Sequence, residues 1–307
     1  MKDFSVIDFD TIPFTHNTSW PPRFIMLVGI PGSGKTSKAK SMTCSDTIHV
    51  SSDAIREILY GDESCQDNPA KVFERMHANT LTALNHGLNV VYDATNITRK
   101  NRKQILEKLP AFVRKECIIC WAPIDVCIER DRIRDRTVGK EVIDKMLRRF
   151  EAPYYDEGFD SIIVSTDGVY YDENQYYKNL IADIDIPHDN PHHSVGVLEH
   201  CYQAGVNLLD SEVPAVVVNA AFVHDIGKAY TKTFKNKKGE ACDVAHYYDH
   251  QAVGAWQSYG INGNNPTLAW LISSHMAPFI NQKYYDNLPI YMKRWLTALH
   301  AADKAAH

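Results

Sequence analysis

No run of apolar residues in this 307-residue chain is long enough to cross a bilayer, which excludes a membrane-spanning reading. The opening MKDFSVIDFD is acidic and lacks the basic-then-apolar layout of a secretory signal. Cysteines are few: seven, an odd and scattered set, which argues against a disulfide framework and for a reducing cytoplasm. Cys117 and Cys120 form a CxxC, but they sit in ECIICWA, which reads as a buried strand. Three positions apart on a strand they face opposite sides, so they are expected in the core rather than on a shared metal. Excess positive charge is also missing. The formal net charge is −5, so no global basic field draws nucleic acid. Basic residues are instead local, in RKNRK (99–103), RDRIRDR (130–136) and KTFKNKK (232–238). Each reads as solvated surface unless a motif beside it says otherwise. No internal repeat and no low-complexity tract is present.

What is present is length for two domains and a change of texture between them. Residues 24–165 alternate short apolar runs with helical patterns. The strands are FIMLVGI, TIHVS, NVVYDAT, ECIICWA and SIIVS, with helices at PAKVFERMHANTLTALNHG, RKQILEKL and DVCIERDRI between them. That alternation predicts a parallel sheet with helices on both faces. After a helix near ENQYYKNLIADI comes PHDNPHH, which reads as a linker. Beyond it the strand signal fades into helical segments, and ten of the fourteen histidines lie at or after His188. The expected boundary is near residue 186: an α/β domain over 1–186 with its core at 24–165, then an all-α domain over 187–307.

The first motif is Gly29-Ile30-Pro31-Gly32-Ser33-Gly34-Lys35-Thr36, a full GxxxxGK[ST] between a strand and a helix. The glycines let backbone N–H groups turn inward around phosphates, and the helix N-terminus adds its positive end. Lys35 can reach the β- and γ-phosphates and Thr36 can ligate Mg²⁺. HVSSDAIREI puts Asp53 and Arg56 after the second strand, three apart on a helix start and so on one face. An Asp there can accept a proton from an attacking hydroxyl, and an Arg can hold a phosphate or orient that hydroxyl. Asp93 ends the third strand, fit to hold Mg²⁺ through water or to touch substrate. Arg130 and Arg134 are one helical turn apart and are expected to clamp ATP phosphates together.

GIPGSGKT, SSDAIREILYGDES, VVYDATNITRKNR, the arginine-rich helix and FEAPYYDEGFD together resemble the phage-type polynucleotide kinases and their relatives among small P-loop kinases, over residues 24–165. The resemblance implies ATP, or another nucleoside triphosphate, with Mg²⁺ on Lys35 and Thr36. It implies Asp53 as the activator of a 5′-hydroxyl, Arg56 as the acceptor-positioning group, and Arg130 and Arg134 on the transferring phosphate. The wider family includes kinases of small molecules.

The second motif is a spread of metal-ligating residue types: His200, His224-Asp225, His250, His275 and Asp303, on helices that can converge in a bundle. Imidazoles and carboxylates suit Mn, Ni, Co, Zn or Fe. Asp225 has two oxygens and can bridge two ions. His200, His224 and Asp303 could complete one site, His250 and His275 the other. Two ions close together suit phosphate-ester hydrolysis. This stretch resembles the HD-domain phosphohydrolases over 187–305, with NPHHSVGVLEH, HDIGK, YYDHQAVGA and AADK at the family's elements. The resemblance implies Lys228 as a contact to substrate phosphate. His192, His193 and His246 are candidates for supporting contacts. His16, His49, His77 and His86 read as ordinary structural or surface histidines.

One domain then adds phosphate and the other removes it, which is futile on one small molecule but complementary on a broken strand. The expected function is nucleic acid end healing: a 5′-hydroxyl phosphorylated with ATP·Mg²⁺, and a 3′-phosphate or 2′,3′-cyclic phosphate cleared by one or two transition-metal ions. RNA or DNA ends are the expected substrates, with a nucleic acid ligase acting downstream. Two alternatives stand beside it: a small-molecule or nucleoside kinase fused to an HD nucleotidase, and a kinase controlled by a nucleotide-sensing HD module. The sequence carries no signal for oligomeric state.

Overall fold

A computed structural model describes residues 21–191, 194–261 and 263–306. His16, His192 and His193 lie outside the described residues. The N-terminal half is built on β1 (Arg23–Val28), β2 (Thr47–Ser51), β3 (Asn89–Asp93), β4 (Arg114–Cys120) and β5 (Ser161–Ser165). They form a parallel sheet in the order β2-β3-β1-β4-β5. Helices α1 (Lys35–Met42), α2 (Ser52–Tyr60), α3 (Pro69–Asn85), α4 (Arg99–Leu106), α5 (Ile124–Ile133), α6 (Lys140–Leu147) and α7 (Glu173–Asp183) connect or follow the strands. β1 shows why its sequence is apolar after Arg23: Phe24, Met26 and Val28 pack on one face, Ile25 and Leu27 on the other, and all five are buried. The two cysteines of the CxxC split in the same way, Cys117 into one layer of core and Cys120 into the other.

The C-terminal half contains α8 (Val197–Val206), α9 (Ala215–Val223), α10 (Lys228–Thr231), α11 (His250–Ser258), α12 (Pro266–Ser274), α13 (Ala277–Ile280), α14 (Gln282–Asp286) and α15 (Ile290–Ala305). It is helical, with one addition that periodicity does not announce. A short antiparallel hairpin, β6 (Thr233–Lys235) with β7 (Ala241–His246), stands between α10 and α11. KTFKNKK is therefore the first strand and tip of a hairpin. Its three-residue strand is too short and too lysine-rich to alternate visibly.

The two halves share one apolar core. Trp121, at the end of β4, donates its indole N–H to the Trp256 carbonyl at 2.8 Å, and Trp256 on α11 returns one to the Ala122 carbonyl at 3.1 Å. Both indoles are fully buried, and each has its polar handle satisfied. Phe150 meets Trp256 edge-on with centroids 5.3 Å apart, and Tyr154 stacks on Trp270 at 4.6 Å. FEAPYYDEGFD thus supplies the seam as well as following the kinase pattern. RKNRK is absorbed in the same way. Arg102 is completely buried and forks onto Glu157 at 2.8 and 2.7 Å. Arg99 pairs with Asp156 at 2.7 Å and lies over the Tyr284 ring of α14. The cluster at 99–103 is structural at these two positions rather than a solvated patch.

Candidate functional sites

The glycine-rich loop runs from the end of β1 into α1, at the carboxyl edge of the sheet where open α/β folds bind ligands. Its glycines answer to close neighbours. A Cβ on Gly32, which has φ +78°, would sit 2.2 Å from the Cys127 carbonyl oxygen, and one on Gly29 would sit 2.7 Å from that of Cys120. Only hydrogen fits there. Gly34 adopts φ +97° at the N-cap of α1, which frees the following N–H groups to point outward. The Ser33 hydroxyl is buried with no partner among the described residues, a donor left for a phosphate oxygen. Lys35 folds back onto the Ile30 carbonyl at 2.9 Å. Burial pushes the pKa of its ammonium down, and Asp93 is the main opposing pull. Thr36 is exposed at the mouth of the loop.

Asp53 and Arg56 stand beside this cradle because β2 lies one strand beyond β3 and Ser51 caps α2 through the N–H groups of Asp53 and Ala54. Arg56 donates to Asp53 at 2.7 Å. Asp93 at the end of β3 accepts from His49 of the neighbouring strand at 3.0 Å. His49 carries no signal in the sequence; its parallel pairing next to Asp93 shows only in the sheet.

The arginines after β4 take different partners. Arg130 reaches the Gly32 carbonyl at 3.5 Å and the Gly168 carbonyl at 2.5 Å, so it lies against the loop. Arg134 stands at the C-cap of α5. α5 ends at Ile133, and Arg134 is extended, with φ −85° and ψ 156°. Its guanidinium pairs with Asp131 at 2.6 Å. Asp131 is itself fixed by the N–H groups of Val138 and Gly139, so it ties the loop back and ends the helix. The residue that turns toward Asp53 is Arg136, which lies 3.8 Å from Asp53 and 3.4 Å from Glu63. Sequence spacing misses it because the chain leaves the helix between the two arginines.

The second site is a convergence of five helices. His200 comes from α8, His224 and Asp225 from the end of α9, His250 from the start of α11, His275 from the end of α12 and Asp303 from α15. Two close backbone approaches bring the ligand types together. A Cβ on Gly227 would fall 2.1 Å from the His250 carbonyl oxygen, and one on Gly254 would fall 3.2 Å from the Gly227 nitrogen. The glycines of HDIGK and HQAVG therefore let α11 press His250 against Asp225.

Three groups of ligand atoms result. His200, His224 and Asp303 form one, Asp225, His250 and His275 a second, and Cys201 with His224 and Asp225 an overlapping third. Asp225 links the first two, with one oxygen 3.3 Å from His224 and the other 3.1 Å from His250. All four histidines are buried. Each points its Nδ1 at a carbonyl: His200 at Ala306, His224 at Ala221, His250 at Tyr247 and His275 at Ile272, at 2.7 to 2.9 Å. A carbonyl can only accept, so each Nδ1 must donate. The Nε2 atoms are then left to face one another, His200 to His224 at 3.3 Å and His250 to His275 at 3.2 Å. Opposed lone pairs at that distance repel unless a proton or a metal ion lies between them. The donor set fits transition-metal ions of the Mn, Ni, Co, Zn or Fe class.

The electrostatics have the same sense. Burial works against the charge on Asp225, but Lys228 and His224 hold its carboxyl well below the usual range. Burial also opposes a cation at His224, yet Asp225, Cys201 and Asp303 together outweigh it and hold its pKa well above the ordinary value. A metal ion would compete for that same place. Burial, then His250 and His224, pushes His275 down to about 3. Lys228 is buried and spans Asp225 at 2.6 Å and His188 Nε2 at 3.0 Å. His188 donates through Nδ1 to the Val195 carbonyl, so its Nε2 is the acceptor for Lys228. The PHDNPHH segment thus contributes one buried contact beside the His/Asp cluster.

Residues 24–153 match the family described as AAA domain, and residues 192–299 match the family described as HD domain. The chain joins a P-loop kinase-type domain to a helical HD domain. Among solved structures it is similar to part of a Pnkp1/Rnl/Hen1 complex, at 24% identity and TM-score 0.34 over 41% of this chain and 45% of that one. A second match, described as the Pnkp1/Rnl/Hen1 RNA repair complex, has 23% identity and TM-score 0.38 over 43% and 44%. The chain spans less than half the length of these two. A gluconokinase from Sinorhizobium meliloti 1021 matches at 18% identity and TM-score 0.35 over 47% and 82%. No helix among the described residues is long and apolar enough to cross a membrane.

Proposed function

We propose that this chain heals broken nucleic acid ends with two chemistries, a 5′-hydroxyl kinase over roughly residues 1–186 and a 3′-end phosphatase or cyclic phosphodiesterase over 187–307. The observation that carries the reading is the pairing itself. A phosphate cradle with Asp53 beside it and a six-residue His/Asp centre are built on one continuous core. Adding and removing phosphate serve a single purpose when the 5′ and 3′ ends of a break need opposite treatment.

In the kinase half, the loop N–H groups, Ser33, Lys35 and Arg130 would hold the triphosphate, with Mg²⁺ at Thr36 and Asp93. Asp53 would take the proton of the attacking 5′-hydroxyl, and Arg56 holds that carboxylate in place. Arg136 is placed to meet the acceptor. In the HD half, His200, His224 and Asp303 would hold one ion, His250 and His275 the second, with Asp225 between them. Bound ions supply Lewis acidity and an activated water. Lys228 pairs with the Asp225 oxygen that also faces His224 and is held there by His188. A ligase is the class of enzyme that would consume the product, a 5′-phosphate facing a 3′-hydroxyl.

The test is product analysis on RNA and DNA strands bearing 5′-hydroxyl and 3′-phosphate or cyclic phosphate ends, with ATP and a panel of divalent metals. Phosphorylation of nucleosides or sugars in preference to every strand offered would sink the reading in favour of a metabolic kinase.

A further inference from the structure

The β6–β7 hairpin has the features of a binding surface. Residues 232–238 hold four lysines in a chain of net charge −5. Lys232 is tied to Asp189 at 2.7 Å. Lys235, Lys237 and Lys238 are exposed, and none forms an ion pair among the described residues. The acids within the hairpin are Glu240, which accepts from Asn236 at 2.7 Å, and the exposed Asp243. Aromatic rings adjoin the lysines. His246 and Tyr248 lie parallel, with centroids 5.1 Å apart and planes 12° apart. The Lys237 ammonium sits 5.7 Å from the Tyr248 ring centre. A further cation arrives from the kinase half, where Arg148 donates to the Tyr248 carbonyl at 2.8 Å.

The position of this cluster matters as much as its composition. The hairpin starts at Thr233, directly after the helix that carries Lys228, and ends at His246. His246 and Tyr248 precede His250 by four and two residues. Tyr247, between them, accepts from the His250 ring through its carbonyl and lays its own ring 5.3 Å from the Lys228 ammonium. One segment therefore carries both the stacked rings and a metal-ligating side chain.

We propose that this hairpin is a docking platform for single-stranded nucleic acid whose 3′ end enters the HD centre. Bases preceding the end stack on His246 and Tyr248, and the phosphates between them meet Lys235, Lys237 and Lys238. Stacked π-faces flanked by unpaired lysines are the sequence-tolerant way to hold a single strand, while a small phosphate ester needs neither. The inference rests on the end-healing reading for its ligand and adds the surface that would recognise it.

The experiment compares the full-length wild type with the triple variant Lys235→Ala/Lys237→Ala/Lys238→Ala and with the pair Tyr248→Ala and Tyr248→Phe. Binding of a fluorescein-labelled single strand with a 3′-phosphate is followed by anisotropy against salt. Phosphate release is measured from the same strand and from p-nitrophenyl phosphate. The triple variant should weaken strand binding about 10-fold or more and lower the salt slope by about 2, near 0.7 for each phosphate that no longer meets a lysine. Hydrolysis of p-nitrophenyl phosphate should not change. Tyr248→Phe should keep strand affinity and Tyr248→Ala should lose it. Wild-type strand affinity and salt slope in the triple variant would overturn the platform while leaving end healing intact. Hairpin-dependent strand binding without action on any strand end would uphold the platform and remove the end-healing reading.

Discussion

Trp121 and Trp256 exchange hydrogen bonds across the seam between the two halves, each indole donating to a carbonyl beside the other. Neither ring touches solvent. Removing one leaves a large cavity and an unpaired carbonyl in the same place. Trp256→Ala should cost about 3–5 kcal/mol, and wild-type protein should unfold in one denaturant transition. Two well-separated transitions in the wild type would show that the halves hold themselves up independently.

The two sites should separate by mutation. Lys35→Ala and Asp53→Ala should each lower strand phosphorylation by at least about 100-fold and spare phosphate release. Asp225→Ala should do the opposite. Single-turnover assays of both reactions on each variant provide the check. Loss of both activities in a folded variant would contradict the assignment of one chemistry to each site.

The arginines should differ among themselves. Arg130 lies against the phosphate loop and Arg136 near Asp53, whereas Arg134 is turned onto Asp131. Arg130→Ala should raise the KM for ATP, and Arg136→Ala the KM for the acceptor. Arg134→Ala should change kcat by less than either. A collapse of kcat in Arg134→Ala alone would show that the loop rearranges when nucleotide binds.

Metal should stabilise the HD half. The four Nε2 atoms that face one another need a cation between them, so chelation should lower the melting temperature and a transition metal should restore it. At metal in 100-fold excess over Kd the gain is about 2.7 kcal/mol by mass action. Binding should release protons, because a metal ion displaces the one drawn onto His224, so affinity should weaken as the pH is lowered. Calorimetry in two buffers of different ionisation heat reads the proton count directly.

Acid should destabilise the fold through its buried neutral histidines. Burial, and then Lys108, pushes His77 down to about 4; burial, and then Lys228, does the same to His188. Both folded pKa values lie below the ordinary 6.5, so on acidification the unfolded chain takes up protons first. This contribution is complete above pH 6.5 and is lost as the pH falls from there toward 4. Urea midpoints of metal-free protein at pH 7.5 and 5, with His77→Gln as the comparison, measure it. A His77→Gln variant with an undiminished pH dependence would assign the acid sensitivity elsewhere.

Much of this is legible in the sequence, and for physical reasons. The five strands show because each is a short apolar run between helical patterns. The phosphate loop shows because its constraints are local and fall on consecutive residues. The six His/Asp positions show as residue types, although only the fold reveals that Gly227 and Gly254 bring them together. What stays hidden is long-range. His49 meets Asp93 through sheet register, and His188 meets Lys228 through a loop with no periodicity. Arg134 reads as a partner of Arg130 by spacing, while its pairing with Asp131 depends on where the helix ends. RKNRK reads as surface because a buried Arg102 depends on Glu157, which lies 55 positions away.

The seam at Trp121 and Trp256 also fixes stoichiometry. Two separate enzymes can be made in any ratio, and their meeting is a matter of concentration. Here one glycine-rich loop comes with one His/Asp cluster, on one continuous core. On the end-healing proposal, a short strand engaged at one site would be presented to the other at an effective concentration set by geometry, independent of how much protein is present.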